Sequence, residues 1–176
     1  AASVAETGTG FPVHVGGADR IHQGLGPFDL ITLVHVFEHL GNPVESLVHL
    51  KGRLSPGGRI VLIYPNPESF LARLNGKDWF GWEVPRHLAL LSIRGLHRAS
   101  DSAGLRVRSV RTLARWTAAF SWQSRALNGY PSLGAAALLD PDPGILDKTV
   151  ATLERSLILA RMRVGEEILA VLERPD

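Results

Sequence analysis

Cysteine is absent from the 176 residues, which excludes disulfides, thiolate metal centres and a cysteine nucleophile. An excess of either charge is missing too. The 19 Lys+Arg against 17 Asp+Glu leave a formal +2, too little to argue for a polyanionic partner, so nucleic acid is not expected to bind. Long hydrophobic runs are also lacking. Ile60 to Tyr64, and Leu133 to Leu139 broken by Gly134, fall far short of the ~18 apolar residues a bilayer span needs. The opening Ala1-Ala2-Ser3-Val4-Ala5-Glu6 has no initiator Met and no basic or apolar region of signal-peptide type. The chain is therefore expected to begin mid-protein, and a cytoplasmic location is permitted. No internal repeat or low-complexity tract occurs.

Apolar residues make up 45% and charged residues 20%, which suits one folded domain spanning 1–176 with a single core. Phe28 to Phe37 (FDLITLVHVF) is a nearly continuous apolar run with β-branched residues, the pattern of a central strand buried on both faces. Asn42 and Pro43 supply an N-cap and a first helical residue, with Glu45 at the capping-box distance. The helix stops at Ser55-Pro56-Gly57-Gly58, and Arg59 to Tyr64 reads as a second buried strand. Together these make a right-handed βαβ unit.

An irregular stretch follows, with Trp79-Phe80-Gly81-Trp82 and then Pro85-Arg86-His87-Leu88. Ser92 caps a helix that Gly104 closes, and Leu105 to Leu113 alternates apolar residues with Arg, as an edge strand does. Residues 115–127 and Leu146 to Val164 carry helical spacing on either side of a Pro-rich loop. Glu167 to Glu173 reads as a final strand.

FDLITLVHVFEHL, the capped helix and LSPGGRIVLIYPN resemble, in order, the fourth strand, following helix and fifth strand of class I S-adenosylmethionine (SAM)-dependent methyltransferases. PRHL, SDSAGL and EEILAVLERP are similar to a subgroup related to ubiquinone-type O-methyltransferases. The resemblance covers roughly residues 11–114 and 165–175. It implies an α/β fold, a Rossmann-like sheet of order 3-2-1-4-5-7-6. No room exists before Phe28 for the family's first two strands, since one βαβ unit takes ~30 residues. Glu6-Thr7-Gly8-Thr9-Gly10 spells the family's glycine motif, but Phe11 to Gly16 follows it as a strand and not a helix, so the match is taken as coincidental. Pro12 to Val15 is expected to be the third strand, Ala1 to Glu6 the end of a helix, and 115–164 a helical insertion that covers the acceptor site or makes a homo-oligomer contact. With half the crevice missing, the chain alone is expected to bind SAM poorly and to be inactive.

By resemblance, Gly17-Ala18-Asp19 contacts adenine, the Ala18 amide meeting a ring nitrogen and the Asp19 carboxylate the amino group. Val34 and His35 border the same crevice at the carboxyl end of the strand, where ligands of open sheets bind. A solvated loop Asp is the competing reading of Asp19. His35-Val36-Phe37-Glu38-His39 admits three readings. One is the family's acid-x-x-Glu-His pattern, with His35 in place of the acid, which leaves a divalent cation on His35, Glu38 and His39 open. Another is the inverted zinc-peptidase motif, which needs a helix, and the third is a set of positional polar residues. Methyl transfer needs an oriented acceptor, and a hydroxyl acceptor must lose a proton. His39 is the first candidate base and His87 the second. Trp79, Phe80 and Arg86 are expected to line the pocket of a small-molecule acceptor, against the alternative that the aromatics close a small core. A non-catalytic docking or dimerisation module is the rival to an enzyme.

Overall fold

The computed structural model describes residues 8, 10–17, 24–129 and 142–175. Its strands are β1 (Phe28–Val34), β2 (Leu54–Pro65), β3 (Arg106–Leu113) and β4 (Glu167–Glu173), and its helices are α1 (Pro43–Gly52), α2 (Phe70–Asn75), α3 (Ile93–Ser102), α4 (Thr117–Gly129) and α5 (Ile145–Leu159). The sheet runs β1-β2-β4-β3. β1 and β2 pair in parallel, and β4 pairs antiparallel with both β2 and β3. This is the 4-5-7-6 part of the expected sheet order. The carboxyl ends of β1, β2 and β3 and the start of β4 therefore share one edge of the sheet.

Local chemistry explains the helix starts. The Asn42 side chain accepts from Glu45 N at 3.2 Å and donates to Glu45 Oε2 at 3.2 Å, while Pro43 occupies the first turn, where no amide is needed. Ser69 caps α2 and Ser92 caps α3 through the same side-chain-to-amide bond. Gly104 takes φ +67 just past α3, a conformation a Cβ disfavours. Leu47 and Leu50 of α1, with Leu96 and Ala99 of α3, pack on Ile60, Leu62 and Tyr64 of β2 to form the main core. A smaller core gathers Leu71, Ala72 and Trp79, with Phe120 and Val150 against it.

Three expectations change. β1 lies at the sheet edge among the described residues, as the missing first two strands imply, but Leu30 is 56% and Val34 49% exposed, where a strand buried on both faces was expected. It stops at Val34 because His35 turns into the left-handed region at φ 52. Its last ladder bond is His35 N to Ile63 O, and Phe37–His39 then forms a single 3-10 turn. Pro12 to Val15 is not a strand: Pro12 has no amide to donate, and among the described residues no strand is paired with it. The expected helix end at Ala1 to Glu6 lies outside the described residues. No helix among them is long and apolar enough to cross a membrane.

Candidate active site

The 3-10 turn is pinned from above. Glu38 O accepts from the amides of Leu88 and Ala89 at 2.8 and 3.1 Å, which lays the Pro85-Arg86-His87-Leu88 segment over the end of β1. His39 Nδ1 bonds Arg86 O at 2.9 Å and His87 Nδ1 bonds Gly81 O at 2.8 Å. A nitrogen facing a carbonyl must carry the hydrogen, so His39 leaves Nε2 as the atom with a lone pair. The rings lie 4.9 Å apart, centroid to centroid. His87 Nε2 is 3.1 Å from Glu83 Oε2 and 3.9 Å from Glu38 Oε1, so a proton on His87 is met by two carboxylates.

His35 points elsewhere. Its Nε2 lies 2.8 Å from Glu167 Oε1 and its Nδ1 3.3 Å from Glu38 Oε1. Both ring nitrogens donate to carboxylates, so the ring is an imidazolium. The hydrogen bonds to Glu167 and then Glu38 raise it from 6.5 to about 9 against the opposing effect of burial. Arg115 forks onto Glu167 through Nε and Nη2 at 2.8 and 2.9 Å. Burial alone would raise the Glu167 carboxyl, but the bonds from His35 and Arg115 hold it below the ordinary carboxylate range. Glu38 Oε2 and the Tyr64 hydroxyl are buried without a hydrogen-bond partner among the described residues. Burial, and then the nearby Glu38 charge, push the Tyr64 phenol upward.

His35, Glu38, His39 and His87 line a cavity of about 360 Å³ whose aromatic walls are Phe80, Trp116 and Phe120, with Arg86 and Glu83 also lining it. Phe80 and Phe120 meet edge to face at 5.4 Å. Of the residues expected here, the structure brings together His39, His87, Glu38, His35, Phe80 and Arg86. Trp79 is not among them. It is 1% exposed inside the second core, edge to face with Trp82 at 5.2 Å. Val34 is half-exposed at the end of β1 and Gly17 is exposed in its loop, whereas Ala18 and Asp19 lie outside the described residues.

The cation trio changes as well. The acid and imidazoles whose donor atoms lie within 4.8 Å of one another are Glu38, His39 and His87. His35 is excluded from the expected His35, Glu38, His39 set because both of its nitrogens are engaged. The zinc-peptidase arrangement fails for the same reason, and because the segment is a strand end with a 3-10 turn. Sequence reasoning missed Glu83, Arg115, Trp116, Phe120 and Glu167. The only signal was the aromatic and charged spacing at 115–120.

Residues 6–110 match the Methyltransferase domain family. The chain belongs to that family. Among proteins of known sequence, it is 28% identical over 89 residues to the ubiquinone biosynthesis O-methyltransferase of Aeromonas salmonicida, covering 47% of this chain and 37% of that one. The match thus spans well under half the length of the relative. A solved SAM-dependent methyltransferase from Thermotoga maritima is similar at a TM-score of 0.58 and 17% identity, over 98% of this chain and 68% of that one. The [4+2]-cyclase SpnF is similar at 0.58 and 14%, over 98% and 60%. At such identities the likeness shows the methyltransferase fold and not the reaction, as the cyclase illustrates.

Proposed function

We propose that this chain serves SAM-dependent methyl transfer to the oxygen of a small-molecule acceptor, with His39 as the base. The observation that carries the reading is the pair of carbonyl-anchored imidazoles, His39 and His87, beside buried Glu38 at the carboxyl end of β1, in an aromatic-walled cavity. A docking or dimerisation module has no use for an imidazole fixed in one tautomer beside a buried carboxylate, so this arrangement favours an enzyme. The family match and the SAM-dependent neighbour support the same assignment.

The described residues fit one flank of a SAM molecule. Val34 and Val36 leave apolar surface 49% and 40% exposed where β1 ends, and among the described residues the outer edge of β1 is unpaired, leaving backbone groups free for a ligand. Gly17, Ala18 and Asp19 are proposed to meet the adenine. When bound, SAM supplies an electrophilic methyl group on a sulfonium.

The protein's own work is to orient and to accept a proton. Phe80, Trp116 and Phe120 hold a flat acceptor by its faces, and Arg86 lines the same cavity. His39, with Nδ1 fixed on Arg86 O, presents the Nε2 lone pair to the departing hydroxyl proton. Glu38, whose carboxylate lies within 4.8 Å of the His39 and His87 donor atoms, places negative charge next to the imidazolium that forms on His39. Glu38, His39 and His87 do not fit a divalent cation while His39 is the base, since the His39 Nε2 lone pair takes the proton and His87 Nε2 lies 3.1 Å from Glu83 Oε2.

The test is isotope-labelled methyl incorporation from SAM into catechol by the chain, at SAM concentrations that calorimetry shows to be saturating. Labelled ether is the expected product, and its formation would also overturn the expectation that the chain alone is inactive. Saturation without any incorporation into catechol or other small hydroxyl compounds would overturn the reading.

A further inference from the structure

Behind the aromatic wall, Thr117 Oγ1 lies 2.5 Å from Glu154 Oε2 and 2.6 Å from Glu166 Oε2. Both carboxylates are fully buried and Thr117 is 1% exposed. A hydroxyl owns one hydrogen and can donate to one acceptor only. With both carboxyls ionised, one of these short oxygen contacts would hold no hydrogen, and two negative charges would share a dry site. The array requires one more proton.

Its owner follows from the surroundings. Glu166 Oε1 accepts the Trp116 amide at 2.6 Å, and the Arg115 guanidinium of the β3–α4 link faces Glu166. Both make Glu166 the acceptor of the array. Glu154 has less support: the Leu71 amide of α2 faces it, as does the Glu166 carboxyl just before β4, and its Oε1 is buried without a hydrogen-bond partner among the described residues. Along α5, Asp147 is engaged by Arg125 and by Ser121 of α4, and Arg155 reaches Ala114 O instead.

We propose that Glu154 is a neutral carboxylic acid at physiological pH, donating through Thr117 to Glu166, and that this shared proton is a positioning device that fixes the Trp116–Phe120 wall. The relay ties α5 to the first turn of α4 and to the start of β4. Trp116 is held by Glu166, the neighbour of Glu167, which holds His35. Burial, followed by the hydrogen bond to Glu166, pushes the Glu154 carboxyl up to about 9. Ionisation sets two adjacent negative charges in the relay and loosens the start of α4. The proton assignment stands by itself, and its bearing on the acceptor rests on the proposed methyl transfer.

Glu154→Gln decides both parts, because the amide keeps a donor and cannot ionise. At pH 7 the infrared difference spectrum of the full chain against Glu154→Gln is expected to show a protonated-carboxyl carbonyl band belonging to the wild type. Its absence would overturn the assignment. Calorimetric affinity for catechol is expected to fall several-fold further in the wild type than in Glu154→Gln between pH 7 and pH 10, the titration of His35 through about 9 being common to both. Parallel pH profiles would overturn the positioning role. Should catechol never be methylated while the carbonyl band is present, methyl transfer fails and the shared proton stands.

Discussion

His35 and Glu167, 132 positions apart in the chain, close a contact of 2.8 Å between the end of β1 and the start of β4. The imidazole is fixed by it in the left-handed backbone region, at φ 52, a conformation that non-glycine residues hold only when their surroundings over-determine it. The contact ties the end of β1 to the start of β4 across β2. With its other nitrogen on Glu38, His35 has both ring nitrogens engaged, which is why the proposed base is His39.

His35→Gln keeps one donor and removes the charge. Because the folded imidazole is raised from 6.5 to about 9, its contribution is fully present below pH 6.5 and is lost as pH rises through 9. Glu167 is held low, so its share is present above its ordinary 4.5 and is lost as pH falls through its depressed value. The side chain of His35 is 37% exposed, and solvent screening reduces the effect to about 1–2 kcal/mol. Urea unfolding should show that gap between wild type and variant at pH 5–6, and its near disappearance at pH 10.

Trp79 and Phe80 adjoin in sequence and differ in consequence. Trp79→Ala empties the second core and should cost about 3–5 kcal/mol of stability. Phe80→Ala, at the cavity wall, should raise the acceptor KM with a much smaller loss of stability. Thermal unfolding and steady-state kinetics on both variants separate the two roles.

Much of the frame was legible in local chemistry. Asn42-Pro43 with Glu45, the Ser92 cap and the Gly104 stop all act within one turn of themselves, and the strand Glu167 to Glu173 is found at the bounds its apolar pattern suggests. The end of β1 was not. Nothing near His35 announces that a glutamate 132 residues away will capture its ring. Trp79 and Phe80 likewise carry the same aromatic signal, and only the packing of α2 and α4 sorts one into a core and the other onto a wall. The site residues Glu38, His39 and His87 were visible by type; their grouping without His35 depended on tertiary contacts.

Gly165 lies against β3, and a Cβ built there meets the Leu113 carbonyl and the side chain of Ile158. Gly165→Ala should therefore destabilise by about 1–3 kcal/mol. Because Glu166 and Glu167 follow directly, it should also weaken the acceptor site. Denaturant midpoints together with catechol calorimetry would register both losses.

The central claim is that the hydroxyl proton of the acceptor leaves to His39, and it is tested most directly by comparing wild type with His39→Gln across phenols of graded acidity. A positioned base is worth ~10²–10⁴-fold, so turnover of a weakly acidic phenol should fall by that order. The deficit should shrink toward nothing for phenols already ionised at the assay pH. A deficit equal for every phenol, or none for the least acidic, would contradict the account.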